Sequence, residues 1–243
     1  MSKPIAILSP HPDDAVLSCW HLLSGPGEVR VINVFAGIPP PGRTGWWDAQ
    51  RGATDSRTRM RERIEEDRGA LALAGRRASN LGFLDDQYRD SPPELPPMIE
   101  ELRRALPAGA HVYAPAALGI QPDHLAVRQA ALAMRDHIAG LSLYADLPHA
   151  SANGWPAWVT NGTVPAAEVE REWAQALAST GIPPDAMRPT VHPLGDADHA
   201  RKLTALRSYT SQLKPLERHF HRSLNDPSLL GYEVDWELPA EQG

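Results

Sequence analysis

The strongest constraint on the fold is an alternation of short apolar runs with longer amphipathic segments. The apolar runs have the length of buried strands, and the segments between them repeat apolar residues at helical spacing. Strands are predicted at 5–8, 29–36, 79–84, 111–116 and 141–145, and helices after Asp14, after Asp123 and at 58–74, 94–106, 168–180 and 197–213. This alternation favours an α/β fold with a mainly parallel sheet and helices on both faces.

Sheets of this kind bind ligands beyond the carboxyl ends of their strands. Three predicted loops lie at such ends, at 9–14, 36–57 and 115–123. The second of them carries Trp46 and Trp47, and a similar segment rich in Pro and Gly, 147–162, carries Trp155 and Trp158. We expect both segments to wall a pocket, and their tryptophans to pack the loops onto the body rather than stack on a ligand.

Composition excludes several partners. The net charge is -6, the pI is about 5.9, and the 24 Lys and Arg residues form no basic stripe, which argues against nucleic acid as a ligand. Apolar runs are too short for a signal sequence or a membrane helix. Cys19 is the single cysteine, so an internal disulfide and a thiolate metal site are both excluded. The chain is therefore expected to be cytoplasmic, without a membrane partner.

The first strand runs into the sequence "SPHPDD" at 9–14. Pro10 and Pro12 disfavour helical torsions in the residues before them and keep the chain extended until a helix begins near Asp13. His11 and Asp14 then converge. Taken singly, each acidic residue could be a helix cap, but the cluster as a whole predicts a site.

A second motif, "GIQPDHLAV" at 119–127, again places an acid and an imidazole between a strand end and a helix start. His11, Asp14 and His124 together offer two imidazoles and one carboxylate, a set that suits one Zn²⁺ with positions open for water and substrate. Asp13 is placed to take a proton from the water on the metal. The two motifs predict a hydrolytic metal centre.

These motifs resemble those of the LmbE-like or PIG-L zinc-dependent N-deacetylases, which carry PHPDD and, about a hundred residues later, an HPDH-type sequence. The similarity extends to "RIEEDRGALALAG" (63–75), "LGFLDD" (81–86) and "RKLTALRSYTSQL" (201–213). The resemblance implies a Rossmann-like, three-layer fold, with 1–243 as one deacetylase domain. It also implies a small-molecule substrate, an N-acyl amino sugar or a glycoconjugate containing N-acetylglucosamine.

Particular residues follow from the same resemblance. It implies zinc bound by His11, Asp14 and His124, with Asp13 as the general base. Arg63 and Asp85 match residues that hold sugar hydroxyls. On ordinary grounds, Arg63 could instead be an ion-pair partner on the surface of a helix, and Asp85 or Asp86 could be a cap after the third strand.

The chain departs from the family pattern at several positions. Gln121 stands where the first His of the HPDH-type motif is found, and a neutral amide can donate a hydrogen bond to substrate but not a proton. Ala15 replaces the usual Glu, and Cys19 and Trp20 stand where small glycines are frequent. The identity of the general acid is therefore left open. Asp13 could return its proton to the departing nitrogen, or His149 or His192 could act as the acid.

Three other functions remain open at this point. A non-haem Fe(II) enzyme also uses two His and one carboxylate, although its scaffold is usually all-β. A dinucleotide-binding protein would carry G-x-G-x-x-G after the first strand, which this chain lacks. A non-catalytic zinc- and sugar-binding protein would keep the metal site without chemistry.

The substrate is equally open. Precursors of small thiols that contain N-acetylglucosamine, aminoglycosides, glycopeptides and other acylated amino sugars are all compatible with the sequence. The oligomeric state is also open, and a homo-oligomer is possible.

Overall fold

The computed structural model describes residues 3–160, 167–221, 223–224 and 226–240. Its strands are β1 (Ile5–Ser9), β2 (Val29–Asn33), β3 (Ala78–Asn80), β4 (His111–Pro115), β5 (Gly140–Tyr144), β6 (Arg188–Pro193) and β7 (Tyr232–Glu237). Its helices are α1 (Asp14–Ser18), α2 (Trp20–Leu23), α3 (Trp46–Gln50), α4 (Ser56–Ala72), α5 (Leu95–Ala105), α6 (Pro122–Leu132), α7 (Ala157–Thr160), α8 (Ala167–Ala178), α9 (Asp196–Leu206), α10 (Leu213–Phe220) and α11 (Pro227–Leu230).

The strands of the described residues form one seven-stranded sheet in the order β3-β2-β1-β4-β5-β7-β6. The first five strands in the sequence are parallel, whereas β7 is antiparallel to both β5 and β6. The predicted α/β fold with a mainly parallel sheet and helices around it is confirmed. The two strands of the antiparallel edge are an addition that the sequence did not predict.

Strand order reverses between β1 and β4, because the chain leaves β1 for β2 on one side and returns to β4 on the other. The right-handed crossovers that this order requires place α1, α2 and α4 on one face and α5 and α6 on the opposite face. A reversal of this kind leaves a crevice at the carboxyl ends of the two central strands. The loops after β1 and β4 carry the two sequence motifs to that crevice.

The core is built from the apolar runs and from the inner faces of the helices. Residues of β1, β2 and β4 such as Ile7, Ile32 and Val112 are fully buried between the helical layers, as in other parallel sheets. No helix of the described residues is both long and apolar enough to cross a bilayer.

Several boundaries differ from the prediction. The helix after Asp14 is interrupted at Cys19, because the carboxylate of Glu233 accepts the backbone N–H groups of Trp20 and His21, both at 2.8 Å, and starts a new helix there. The predicted helix 197–213 stops at Leu206. The predicted strand 79–84 pairs only over Ala78–Asn80, followed by a single bridge between Phe35 and Gly82.

Candidate metal centre and active-site cavity

A cavity of about 270 Å³ opens in the crevice beyond β1 and β4. Its walls come from the loop after each strand, from the first turns of α1 and α6, from α3 and α4, and from α10. All seven residues that the sequence analysis singled out line it: His11, Asp13, Asp14, Arg63, Asp85, Gln121 and His124. The fold therefore brings the two motifs together, and the roles of the individual residues stay predictions.

The loop after β1 is held by its own hydrogen bonds. The hydroxyl of Ser9 donates to the carbonyl of His11 (2.7 Å) and accepts from the backbone of Ala15 (3.1 Å), which closes the turn around both prolines. Asp14 begins α1, and its Oδ2 accepts the backbone N–H of His11 at 2.8 Å. Asp13 has φ of 157°, a conformation rare for residues other than glycine and typical of constrained functional loops.

The two predicted imidazole ligands converge on one carboxylate oxygen. Asp14 Oδ2 lies 3.3 Å from His11 Nδ1 and 3.3 Å from His124 Nε2, and the two ring centroids are 5.5 Å apart. One ligand atom from each of the three residues lies within 4.8 Å of the others, and all three residues are buried. Two imidazoles and one carboxylate at this separation fit a divalent cation such as Zn²⁺.

The far nitrogen of each imidazole is also held by a carboxylate. His11 Nε2 lies 3.0 Å from Asp123 Oδ2, and His124 Nδ1 lies 3.2 Å from Asp146 Oδ2. Carboxylates in this position orient metal-ligating histidines and fix the tautomer that leaves the near nitrogen free. Asp123 and Asp146 are therefore placed to orient the two candidate ligands, and the sequence predicted this position for neither of them.

A second grouping shares His11. Asp85 Oδ2 lies 3.9 Å from His11 Nε2, so that His11, Asp85 and Asp123 also fall within ligand distance of one another. However, Asp123 already accepts hydrogen bonds from the guanidinium of Arg89 and from the backbone N–H of Asp86 (3.0 Å). In the set of His11, Asp14 and His124, Asp14 Oδ2 accepts the backbone N–H of His11, but the two facing imidazole nitrogens make no hydrogen bond outside the set among the described residues, which favours it as the candidate metal position.

The charge distribution of the centre suits a bound cation. Burial opposes the charged form of each group, but the neighbouring imidazoles hold the pKa of Asp14 well below its ordinary value. The carboxylates of Asp14 and Asp146 raise the pKa of His124 to about 10, although its burial acts in the opposite direction. Both shifts show that the surrounding carboxylates favour positive charge at this position, which a metal ion would supply.

Asp13 stands apart from the paired groups around it. Its carboxylate lines the cavity and makes no hydrogen bond to any side chain or backbone group of the described residues. Burial, with a smaller contribution from the charge of Asp14, raises the pKa of Asp13 to about 7. A buried, uncommitted carboxylate with such a pKa has the properties of a general base.

The three predicted substrate residues all make structural contacts. Arg63 donates to Asp85 Oδ2 at 2.9 Å in a buried ion pair, and Asp85 Oδ1 accepts the backbone N–H of Gln87 at 3.3 Å. Gln121 is the N-cap of α6, where its side-chain oxygen accepts the N–H of His124 at 2.9 Å. Asp85 is a cap, as its ordinary reading has it, whereas Arg63 forms its ion pair in the buried cavity wall and not on the helix surface; the predicted roles of both residues in substrate binding stay untested.

The four tryptophans of the two loops divide into two pairs. Trp46 and Trp47 line the cavity, and Trp46 is 55% exposed. Trp155 and Trp158 pack against Trp173 in the body of the protein, at centroid distances of 5.9 Å each. The expectation that these residues pack loops onto the body is met by the second pair, while the first pair lies in the cavity wall, as expected for its segment, and Trp47 contacts His219 of α10 at a centroid distance of 5.6 Å. The last two residues of the predicted wall, 161–162, lie outside the described residues.

The two histidines considered as acids occupy different places. His149 lines the cavity with its ring 5.5 Å from that of His124, whereas His192 lies on β6, outside the cavity. Burial, assisted by His124, lowers the pKa of His149 to about 4. At neutral pH the ring of His149 is uncharged, so it can donate a hydrogen bond but is not a charged acid.

Comparison with known proteins identifies the family of the chain and similar structures. The A40926 pseudoaglycone deacetylase superimposes with a TM-score of 0.69 at 26% identity, and a triple mutant of a deacetylase of the teicoplanin biosynthetic pathway with a TM-score of 0.71 at 26% identity; in both cases 99% of each chain is covered. No curated protein matches the sequence. The family PIG-L, described as GlcNAc-PI de-N-acetylase, matches residues 6–135, more than half of the chain. The chain belongs to the PIG-L family.

Proposed function

We propose that the protein is a metal-dependent N-deacetylase that removes an acetyl or related acyl group from an amino sugar of a glycoconjugate, with one Zn²⁺ per chain. One observation carries the proposal. The imidazoles of His11 and His124 both face Asp14, each is held from behind by a second carboxylate, and the carboxylate of Asp13, which has no hydrogen-bond partner among the described residues, lines the same cavity. The family and the two deacetylase structures support the same reaction class.

The chain's own groups can carry the proton transfers of amide hydrolysis. His11, Asp14 and His124 would hold the ion, which when bound polarises an amide carbonyl and acidifies a water molecule. Asp13 accepts the proton of the attacking water and then gives it to the nitrogen of the departing amine, so that one carboxylate serves as base and acid. His149 is uncharged at neutral pH and contributes at most a hydrogen bond.

Gln121 has a narrower role than a histidine would have at the same position. Because its amide oxygen caps α6, its amide nitrogen is the group left to donate a hydrogen bond. We propose that this nitrogen contacts the substrate oxygen on which charge develops, an interaction that becomes stronger in the transition state. Arg63 and Asp85 would then hold hydroxyl groups of the sugar from the opposite wall of the cavity.

The cavity wall indicates what lies beyond the sugar. Trp46 and Trp47 from α3 and Leu216 and Phe220 from α10 provide an apolar rim next to the polar floor. An amino sugar attached to an apolar or aromatic aglycone would place its polar part on the floor and its apolar part on the rim. A structurally similar protein is described as an A40926 pseudoaglycone deacetylase, and we propose a glycoconjugate of comparable character as the substrate here.

The test is acetate release by the zinc-loaded protein from a panel of N-acetylated amino sugars, aminoglycosides and glycopeptide pseudoaglycones. We expect release that a chelator stops and that added Zn²⁺ restores, and a linear dependence on protein concentration. The matched control variant is Asp136→Asn, an exposed carboxylate next to His137 outside the cavity. It should release acetate at the wild-type rate.

Two outcomes would contradict the proposal in different ways. Metal binding and sugar binding without acetate release from any substrate would identify a non-catalytic binding protein. Oxygen consumption with an Fe(II)-loaded sample, in the absence of acetate release, would identify a non-haem iron enzyme.

A further inference from the structure

A second cluster of imidazoles and carboxylates lies where α2 meets the antiparallel edge of the sheet. It consists of His21 on α2, His192 on β6 and Asp235 on β7, and one ligand atom of each lies within 4.8 Å of the others. None of the three lines the cavity described above. Their side chains are 14%, 27% and 7% exposed, so the cluster is largely buried and reaches solvent through His192.

The orientation of His21 is fixed from behind by Glu233. The Nδ1 of His21 lies 2.7 Å from Glu233 Oε2, and the other oxygen of Glu233 pairs with the buried ammonium of Lys202, also at 2.7 Å. The carboxylate is therefore charged and accepts the Nδ1 proton of His21, which repeats the arrangement that Asp123 and Asp146 provide in the cavity.

The other nitrogen of His21 has nothing to bond within the described residues. His21 Nε2 is buried without a hydrogen-bond partner and faces Asp235 Oδ2 at 3.8 Å, too far for a hydrogen bond. Asp235 Oδ2 in turn lies 2.6 Å from His192 Nε2. A buried nitrogen left unpaired beside a carboxylate is costly unless a further group binds both.

We propose that His21, His192 and Asp235 form a second divalent-cation site, suited to Zn²⁺ or a similar ion, that links α2 to β6 and β7. Two imidazoles and one carboxylate are ligands that such ions prefer. The rings of His21 and His192 stack at a centroid distance of 3.7 Å with 11° between their planes. Since an ion lies near the plane of each ligating ring, binding requires the more exposed His192 to turn out of the stack.

This inference does not depend on the deacetylase activity and is tested without substrate. The cavity ligands are first removed by the double substitution His11→Ala/His124→Ala, so that any specific binding of Zn²⁺ reports on the second cluster alone. Chelator-stripped protein is titrated with Zn²⁺ by calorimetry, and its melting temperature is followed with and without the ion. We expect about one equivalent to bind and the melting temperature to rise with ion concentration, because the ion binds only the folded state.

The decisive comparison adds one more substitution to that background. His192→Gln and, separately, Asp235→Asn should weaken Zn²⁺ binding by more than about 10-fold and abolish the rise in melting temperature, whereas the exposed control His137→Gln should leave both unchanged. His192 lies on the edge strand with a partly exposed side chain, so its substitution is compatible with folding, which circular dichroism checks.

The inference is overturned if the background variant binds no Zn²⁺ while remaining folded, or if binding survives both His192→Gln and Asp235→Asn. In the wild-type chain, the same site predicts about two equivalents of Zn²⁺, one of which is lost in His192→Gln without loss of acetate release. The second site is also refuted if the wild-type chain binds one equivalent of Zn²⁺ and this binding is lost in His124→Ala. In that case the proposed cavity site still stands.

Discussion

The two imidazole clusters use the same ligand types and differ in what surrounds them. In the cavity, His11 and His124 face Asp14, while at the sheet edge His21 and His192 face Asp235. Both clusters have a carboxylate behind at least one imidazole. Only the cavity cluster, however, has a further carboxylate without a partner and an open volume for a ligand.

This difference teaches that the ligand set alone does not make a centre catalytic. Three ligands can hold an ion in either place, but hydrolysis also needs a base within reach and room for a substrate. The carboxylate next to the edge cluster, Glu233, is already committed to Lys202 and to two backbone N–H groups. We therefore assign chemistry to the cavity and a structural role to the edge.

The largest effect is expected from Asp13→Asn, which tests whether the additional carboxylate makes the cavity cluster catalytic. The substitution keeps the size of the side chain and removes its basicity, so kcat should fall by about 10²- to 10⁴-fold. Zn²⁺ stoichiometry should be unchanged, because Asp13 is not one of the predicted ligands. Acetate release and calorimetric titration on the same sample check both. Wild-type activity in Asp13→Asn would exclude the role proposed for Asp13.

A substitution next to the edge cluster should change the free energy of unfolding rather than the rate of acetate release. Glu233→Gln leaves the buried ammonium of Lys202 without its counter-charge and should cost about 3–5 kcal/mol of unfolding free energy. The exposed Glu237→Gln on the same strand is the matched control. Urea unfolding curves measure the difference, and a loss below about 1 kcal/mol would show that the ion pair is dispensable.

The same pair predicts how stability depends on pH. The pKa of Glu233 is lowered in the folded state from 4.5 to about 2. Its contribution is therefore fully present above about pH 4.5 and is lost as the pH falls towards 2. The stability difference between wild type and Glu233→Gln should shrink over this interval. A constant difference from pH 6 to pH 3 would contradict the assignment.

A smaller effect is expected from Asp146, the carboxylate that contacts the Nδ1 of His124. Asp146→Asn weakens the orientation of His124 and should lower Zn²⁺ affinity in the cavity by about 10- to 100-fold. Binding at the edge cluster should not change, because Asp146 does not contact it. Competition with a chelator of known affinity resolves the two sites, and Asp198→Asn on the exposed face of α9 serves as the control.

The smallest effect should come from the rim of the cavity. Trp46→Ala removes an exposed aromatic surface and should raise KM for a glycoconjugate by about 2- to 10-fold, with kcat nearly unchanged. For a free N-acetylated monosaccharide, which does not reach the rim, KM should stay the same. An equal effect on both substrates would show that Trp46 shapes the floor of the cavity instead.

The parallel half of the sheet and the residues of the two motifs could be predicted, because the information is local. Apolar runs specify β1, β2, β4 and β5, and Pro10 and Pro12 specify where α1 begins, whereas β3 (Ala78–Asn80) is short, polar and largely exposed and only overlaps the apolar run that predicted it. The antiparallel edge lacks such a signal. β7 contains the buried charges Glu233 and Asp235, and β6 contains Pro189 and Pro193, which an edge strand tolerates.

Within the site, the sequence predicted that His11, Asp14 and His124 lie together, and their role as metal ligands stays a prediction; the residues that hold these side chains were not predicted. Asp123 was noted as part of its motif, but its contact with His11 depends on the meeting of two distant segments. Asp146 lies two residues after β5, and Arg89 follows a short 3₁₀ turn; the residues next to them in the sequence do not mark either one as part of a site. Orientation by distant partners is a property of the assembled structure, which local sequence does not encode.

The place of β7 in the sheet has a consequence for folding. Tyr232–Glu237 lies between β5 and β6, although both of these strands precede it in the sequence. Until β7 is inserted, the folding chain has an unpaired β5 border and a buried ammonium, that of Lys202, without its counter-ion, and an open strand border invites association with other chains. Weakening β7 would therefore open the interior of the sheet rather than loosen its margin.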